Sequence, residues 1–165
     1  MLRLRWGRDK LHGMAEHRAT IRWRHTSGDF RKGTYSREHT WTFDGGVSVP
    51  GSSSPHVVRE PYSNASCVDP EEAFVASISS CHMLTFVYLA QQRGFEVVSY
   101  EDEAVGRMAK NERHVPWVSA VDLHPRVVWA GDPQPTAAEI AALHEAAHEE
   151  CYISQSVKTE ICVKS

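Results

Sequence analysis

A helix that is apolar around nearly its whole circumference is predicted between Asp69 and Gly94. Asp69 is a suitable N-cap, Pro70 suits the first helical position, and Gly94 is a common residue after a helix end. The apolar side chains of its middle part are Phe74, Val75, Ile78, Met83, Leu84, Phe86, Val87 and Leu89. A helix that is apolar on all sides is buried on most sides. The sequence therefore predicts a central helix that is covered by more than one sheet face, which a single subunit of this size does not supply.

Polar side chains inside this helix make it more typical of a buried core than of a membrane span. They are Ser77, Ser79, Ser80, His82 and Thr85, and the segment is bracketed by Glu71, Glu72 and Arg93. The formal net charge of the chain is -3 and its pI is about 6.4, so no basic surface is indicated. We therefore expect neither nucleic acid nor a membrane as a partner.

Alternating apolar and polar residues predict β-strands on both sides of the helix. The expected strands are residues 19–25, 34–43, 95–110, 115–130 and 156–164, and residues 47–69 are expected to be an ordered loop with at most one short strand. A second helix follows Pro133 and Pro135, with Thr136 as its N-cap. This order predicts an α+β fold with mostly antiparallel strands, in a single domain of residues 14–165.

Residues 1–13 are basic and lack both the apolar stretch and the small-residue cleavage site of a secretory signal. We expect them to be an extension outside the fold. Four cysteines in a chain without such a signal are typical of a reducing cytosol. Thiols in that compartment are more often catalytic or metal-binding than bridged. The expected location is cytoplasmic.

Two of the four cysteines occupy helical positions. Cys81 lies in the middle of the first helix, and Cys151 closes the second. A thiol in a helix is either buried and inert or a tuned nucleophile, and the residues alone leave both alternatives open. We interpret Cys67, in the loop before the first helix, as incidental and Cys162, on the last strand, as a packing residue.

The residues around the helical cysteines form motifs that resemble a known family. Asp-Pro-Glu-Glu at residues 69–72 is followed by Cys-His-Met-Leu-Thr-Phe at 81–86, and Cys-Tyr-Ile-Ser stands at 151–154. With these motifs, residues 19–163 resemble the osmotically inducible protein C / organic hydroperoxide resistance (OsmC/Ohr) superfamily. The residues around Cys81 differ from the Ala-Ala-Cys-Phe of the best-studied branches, which indicates a less characterised OsmC-like subgroup.

The resemblance implies a fold, an assembly and an activity. The OsmC-like fold has mostly antiparallel sheets wrapped around two central helices in an intertwined homodimer, with active sites at the subunit interface. The implied activity is that of a thiol-dependent peroxidase, which reduces organic hydroperoxides in oxidative stress defence. Cys81 would be the peroxidatic cysteine, and Cys151 would resolve its sulfenic acid as a disulfide. A low-molecular or lipoyl-type dithiol would restore the pair, and no bound cofactor is implied.

The resemblance also implies an arginine that activates Cys81, because only the thiolate attacks a peroxide and a nearby cation favours the thiolate. Arg37 lies on a predicted strand, where a side chain can be aimed rigidly, whereas Arg59 shortly precedes the Pro-Glu motif. Both are candidates, and Arg31 remains open. Glu71, ten residues before Cys81, would anchor this arginine. The alternative is that Glu71 only complements the positive end of the helix dipole.

Two further alternatives remain open. His144, His148 and Cys151 are spaced as one stripe of a helix, which Cys81 and His82 could complete as a metal site. Without a metal, we expect His144 and His148 to face solvent or to influence the potential near Cys151. The alternative function is a non-enzymatic, stress-associated binding protein of the same fold, which holds an apolar ligand or a metal at the dimer interface.

Overall fold

The computed structural model describes residues 15–164, and the prediction that residues 1–13 are an extension lies outside this range. The chain divides into two compact units, with the boundary between Pro70 and Glu71. In its described residues, 15–70, the first unit contains short strands and loops. The second contains both helices and the cysteines of the predicted site.

The described part of the first unit contains two small antiparallel sheets. The strands are β1 (Ala19–Trp23), β2 (Gly28–Asp29), β3 (Thr34–Tyr35), β4 (His39–Phe43) and β5 (Ser48–Gly51). Their orders are β1-β4-β5 and β2-β3. The predicted continuous strand 34–43 is wrong, because it is interrupted between Tyr35 and His39. The hydroxyl of Ser36 accepts the N–H of Glu38 at 3.1 Å, and such local bonds compete with a strand ladder.

Residues 47–69 are an ordered loop with one short strand, β5, as predicted. The two ends of the part after β5 meet, because the Ser52 N–H donates to the Val68 carbonyl at 3.1 Å. The Ser52 side chain is buried and accepts the N–H of Asn64 at 3.0 Å. A loop that satisfies its own backbone groups in this way stays ordered without a regular sheet.

Helix α1 (Pro70–Gln92) confirms both predicted boundaries. It begins at Pro70, whose missing N–H costs nothing at a first helical position. Gly94 follows its end with a φ of +84°, a conformation that glycine adopts without steric penalty. The N–H of Phe95 then closes the end by donating to the Ala90 carbonyl at 3.0 Å.

Five strands form two sheets in the second unit. They are β6 (Glu96–Asp102), β7 (Val105–Lys110), β8 (Pro116–Leu123), β9 (Pro125–Ala130) and β10 (Glu160–Val163). β6 pairs with β9 and β7 with β8, both antiparallel, while β10 runs parallel to β8.

The predicted single strands 95–110 and 115–130 are therefore wrong, because each is divided between the two sheets. The break is a corner at which the Asp102 carboxylate accepts the backbone N–H of His124 at 2.6 Å. This side-chain bond satisfies a backbone group that would otherwise need a ladder partner.

Helix α2 (Ala137–Glu150) begins at the predicted cap. The Thr136 hydroxyl accepts the N–H of Glu139, and the Glu139 carboxylate accepts the N–H of Thr136, which is a capping box. A 3₁₀ turn at Ser154–Ser156 follows the helix. Phe86 and Ala90 of α1 form one buried core cluster with Leu143 and Ala147 of α2. Ile78 forms a second with Val121 and Leu123 of β8.

Helix α1 is only partly covered within one chain. Its buried residues are Ile78, His82, Thr85, Phe86 and Ala90, whereas the apolar side chain of Leu84 is 52% exposed. By length and composition alone the helix could cross a membrane, a test that the core helices of soluble proteins also pass. The burial that its sequence predicts requires a further surface.

We expect that surface to come from a second copy of the chain. Light scattering should give the mass of two chains, with no folded monomer on dilution. Leu84→Asp should shift the mass toward one chain because it places a charge on the apolar face, whereas Leu84→Met should not. A wild-type monomer that folds cooperatively at nanomolar concentration would contradict this expectation.

Candidate active site

Two thiols meet where helix α1 faces the end of helix α2. Cys81 lies in the middle of α1, and Cys151 is the residue at which α2 ends. The two thiols are close enough for Cys151 to raise the pKa of Cys81. Cys151 is fully buried, Cys81 is partly exposed, and neither forms a disulfide. The structure therefore brings together the two cysteines that the sequence motifs singled out.

The chain after Cys151 surrounds both sulfur atoms with backbone N–H groups. The N–H groups of Tyr152 and Ile153 are near enough to Cys81 to stabilise its thiolate. The N–H of Ser154 donates to the Cys151 sulfur at 3.4 Å. This arrangement follows from the helix end, where the chain leaves α2 in an extended conformation at Cys151 before it enters the 3₁₀ turn.

Opposing effects act on the acidity of Cys81. Burial raises the pKa of its thiol most, and the neighbouring Cys151 thiol raises it further. The two backbone N–H donors act in the opposite direction, because they stabilise the thiolate. Burial prevails, so the pKa of Cys81 lies above its ordinary value. Cys81 is therefore a protonated thiol at neutral pH in the environment that the described residues provide. Its conversion to the reactive thiolate requires a nearby cation.

The charged residues predicted for the site belong to different units of the chain. Glu71 is in the first turn of α1, about three turns before Cys81. Arg37 and Arg59 belong to the first unit. The Arg37 guanidinium donates to the Gly33 carbonyl at 2.8 Å and lies over the ring of Tyr35 in β3. The roles of Glu71, Arg37 and Arg59 in thiol activation stay predictions.

Two buried histidines join the helices beside the thiols. The Nε2 atom of His82 and the Nδ1 atom of His144 are 3.1 Å apart, and the rings stack with an interplanar angle of 7°. His144 is only 5% exposed, so the expectation that it faces solvent is wrong. It is buried because the stripe of α2 that carries it also carries Cys151 and packs on α1.

Burial determines the charge of this pair. The pKa of His82 is lowered to about 4, mainly by burial and also by the nearby His144 and His148, while Asp102 acts in the opposite direction. Burial also lowers the pKa of His144 to about 4. Both imidazoles are therefore neutral at neutral pH, and the hydrogen bond between them has one donor and one acceptor.

Further polar residues lie near the histidine pair, on β6 and at the corner where this strand ends. Asp102 accepts the hydroxyl of Ser79 as well as the N–H of His124. The Tyr100 hydroxyl is buried and has no partner among the described residues, and its pKa is raised, mainly by burial. None of these residues was predicted to belong to the site. The polarity of the strand around Asp102 was the available signal in the sequence.

The other two cysteines have different surroundings. Cys67 lies in the first unit, where burial and the carboxylate of Glu38 raise the pKa of its thiol. The thiol of Cys162 lies 3.6 Å from the Glu160 carboxylate on β10. Ile161 and Val163, which flank Cys162, are the residues of this strand that pack on the core.

No three His, Cys, Asp or Glu side chains among residues 15–164 are arranged to hold a metal ion. His144, His148 and Cys151 do lie along one stripe at α2. However, His144 is hydrogen-bonded to His82, and Cys151 is beside Cys81. The described geometry thus gives the metal alternative no support.

Comparison with known proteins places the chain in a family. The model of the OsmC-like protein family matches residues 63–165. The structure of an OsmC-like protein of unknown function from Vibrio cholerae is 46% identical, covers 92% of this chain and 99% of that one, and superimposes with a TM-score of 0.89. The expected OsmC-like α+β fold is therefore confirmed. No functionally curated protein matches the chain.

Two more distant structures share the fold. An organic hydroperoxide resistance protein from Elizabethkingia anophelis is 20% identical, with a TM-score of 0.67 over 93% of this chain and 95% of that one. An organic hydroperoxide resistance protein of Bacillus subtilis is 19% identical, with a TM-score of 0.61 over 92% of this chain and all (100%) of that one. At these identities the likeness is one of fold.

The histidine pair predicts how stability depends on pH. In the unfolded chain each imidazole has a pKa of about 6.5, whereas in the folded chain both pKa values are about 4. Between these values the unfolded chain binds more protons, so the free energy of unfolding should fall as the pH decreases from about 6.5 to about 4. Denaturant unfolding at several pH values measures this slope.

A double variant isolates the contribution of the pair. His82→Leu/His144→Leu should flatten the slope, while His56→Gln, at an exposed histidine, should leave it unchanged. An equal slope in the wild type and the double variant would contradict the assignment.

Proposed function

This chain belongs to the OsmC-like protein family, and on that premise we propose that it is a cysteine-based peroxidase that reduces organic hydroperoxides in oxidative stress defence. The observation that carries the proposal is that the fold places two free thiols beside each other, Cys81 in the middle of α1 and Cys151 at the end of α2. Two free thiols in contact, one of them partly exposed, are what a two-cysteine peroxidase requires.

The first step takes place at Cys81, the more accessible of the two sulfurs. Its thiolate attacks the terminal oxygen of the hydroperoxide, the O–O bond breaks, and the sulfenic acid forms. The alkoxide leaves as an alcohol after it takes up the proton that the thiol lost. The N–H groups of Tyr152 and Ile153 favour the thiolate before this step, because they are near enough to stabilise its negative charge.

The second step forms the disulfide. The sulfur of Cys151 attacks the sulfenic sulfur of Cys81, the S–O bond breaks, and hydroxide leaves as water with the proton of Cys151. Because the two side chains are already in contact, this step needs little movement of either helix. Rapid resolution protects Cys81 from further oxidation to the sulfinic acid.

A dithiol reductant from outside the protein completes the cycle. Its first thiolate attacks the disulfide and forms a mixed disulfide, and its second thiol displaces the protein thiol, so that the reductant leaves as a disulfide. A low-molecular or lipoyl-type dithiol provides both thiols in one molecule. The proposed reaction therefore needs no bound cofactor.

Thiol activation and assembly form the remaining part of the proposal. Burial raises the pKa of Cys81, which is why a cation is required. Arg37 and Arg59 are the candidates, with Arg31 as a third, and Glu71 would orient the one that acts. We further propose that the protein is a cytoplasmic homodimer with its active sites at the subunit interface.

Substitution of single cysteines tests the proposal. Cys81→Ser should reduce peroxide turnover with a dithiol to background, because no other thiol has the Cys151 contact. Cys151→Ser should allow about one turnover and then accumulate sulfinic acid at Cys81. Cys162→Ser is the matched control and should retain wild-type turnover. Steady-state kinetics with cumene hydroperoxide and mass spectrometry of the cysteine peptides provide the two measurements.

Two results would contradict the proposal. One is equal sulfinic acid formation at Cys67 or Cys162 in the wild type. The other is the absence of dithiol-dependent turnover in the wild type, which would favour the alternative of a non-enzymatic binding protein for an apolar ligand or a metal.

A further inference from the structure

We propose that His82 and His144 are positioning residues that hold helices α1 and α2 together, so that the sulfur atoms of Cys81 and Cys151 stay in reach of each other during disulfide formation. This inference rests on the proposed function, since it assigns the histidine pair a part in forming the same disulfide. The two imidazoles have no part in the chemical steps described above.

The placement of the four side chains carries the argument. On α1, His82 directly follows Cys81. On α2, His144 lies seven residues before Cys151, about two turns or 10 Å along the axis. The thiol contact and the imidazole contact therefore start from adjacent residues on α1, but they reach positions two turns apart on α2. Two contacts arranged in this way fix the rotation of α1 relative to α2, which one contact could not do.

The histidine contact is suited to this role because it is buried and directional. Its 3.1 Å hydrogen bond joins two side chains that are 0% and 5% exposed, so little water competes for it. The ring of Phe86 stacks on His144 at 4.3 Å between centroids and restricts the rotation of that imidazole. The Nδ1 atom of His82 has no partner among the described residues, so the bond to His144 is the one polar contact described for this ring.

The alignment of the sulfurs matters for the disulfide in a measurable way. Formation of the S–S bond between Cys81 and Cys151 is an intramolecular reaction, and its equilibrium depends on how closely the two sulfurs are held. If the histidine pair provides that alignment, its loss lowers the equilibrium constant for oxidation by a dithiol buffer.

A comparison of amides at position 82 tests the hydrogen bond itself. The amide of Gln reaches the level of the Nε2 atom that contacts His144, whereas the amide of Asn ends at the level of Nδ1. The test equilibrates the full-length protein with oxidised and reduced dithiothreitol, alkylates the free thiols and quantifies the Cys81–Cys151 disulfide by mass spectrometry. We expect His82→Asn to lower the oxidation equilibrium constant about tenfold, which raises the reduction potential by about 30 mV. His82→Gln should remain within about threefold of the wild type.

A second variant guards against a folding defect. His82→Leu/His144→Leu removes both polar groups together, so neither is left buried and unpaired, and the fold should persist. We expect its disulfide equilibrium to fall as in His82→Asn, with thermal stability close to that of the wild type. Unchanged equilibria in His82→Asn and in the double variant would overturn the inference. An equal loss in His82→Gln and His82→Asn would also overturn it, because the hydrogen bond would then not be the cause.

The result is separable from the fate of the proposed function. If the wild type forms the disulfide in the dithiothreitol buffer and the variants weaken it, the positioning role stands even if no peroxide is turned over. If the wild type turns over peroxide and the variants keep its disulfide equilibrium, the positioning role falls while the proposed function stands. A wild type that forms no Cys81–Cys151 disulfide in the buffer would overturn both.

Discussion

Helix α1 packs against helix α2 along a contact that begins with apolar side chains and ends with two thiols. Phe86 and Ala90 of α1 are buried against Leu143 and Ala147 of α2. Farther toward the start of α1, the contact continues through the His82–His144 hydrogen bond and then to the neighbouring thiols of Cys81 and Cys151. The candidate site is thus an extension of the hydrophobic core, and its geometry depends on how the core aligns the two helices.

Burial in this contact has opposite effects on the two kinds of titratable group. It disfavours the charged form of each, so it raises the pKa of the Cys81 thiol and lowers the pKa values of both imidazoles. Neutral imidazoles suit a positioning role, because they can hydrogen-bond to one another without repulsion. A neutral thiol does not suit a nucleophile. The N–H groups that follow Cys151 offset part of the effect, and the remainder is what an arginine would have to supply.

Local signals in the sequence predicted local structure well. The ends of α1 at Pro70 and Gly94 and the cap of α2 at Thr136 are correct, because caps and helix terminators act on neighbouring backbone groups. The corner at Asp102 was missed, because the alternation of side chains continues through it and the deciding bond reaches His124, across the hairpin. The burial of His144 was missed for a similar reason, since its partner lies on the other helix. The motif around Cys81 and Cys151 predicted the pair of thiols that the fold brings into contact, whereas a choice among Arg31, Arg37 and Arg59 depends on tertiary placement that no local pattern encodes.

The central claim is that Cys81 and Cys151 form one reactive pair, and the disulfide that the native protein forms tests it most directly. The wild-type protein, fully reduced and then treated with one equivalent of organic hydroperoxide, would be alkylated, digested without reductant and mapped by mass spectrometry. The account predicts that the cross-linked peptide joins Cys81 to Cys151 and that Cys67 and Cys162 remain alkylated thiols. A disulfide that involves Cys67 or Cys162 instead, or oxidation of Cys81 to the sulfinic acid while Cys151 stays a free thiol, would contradict it.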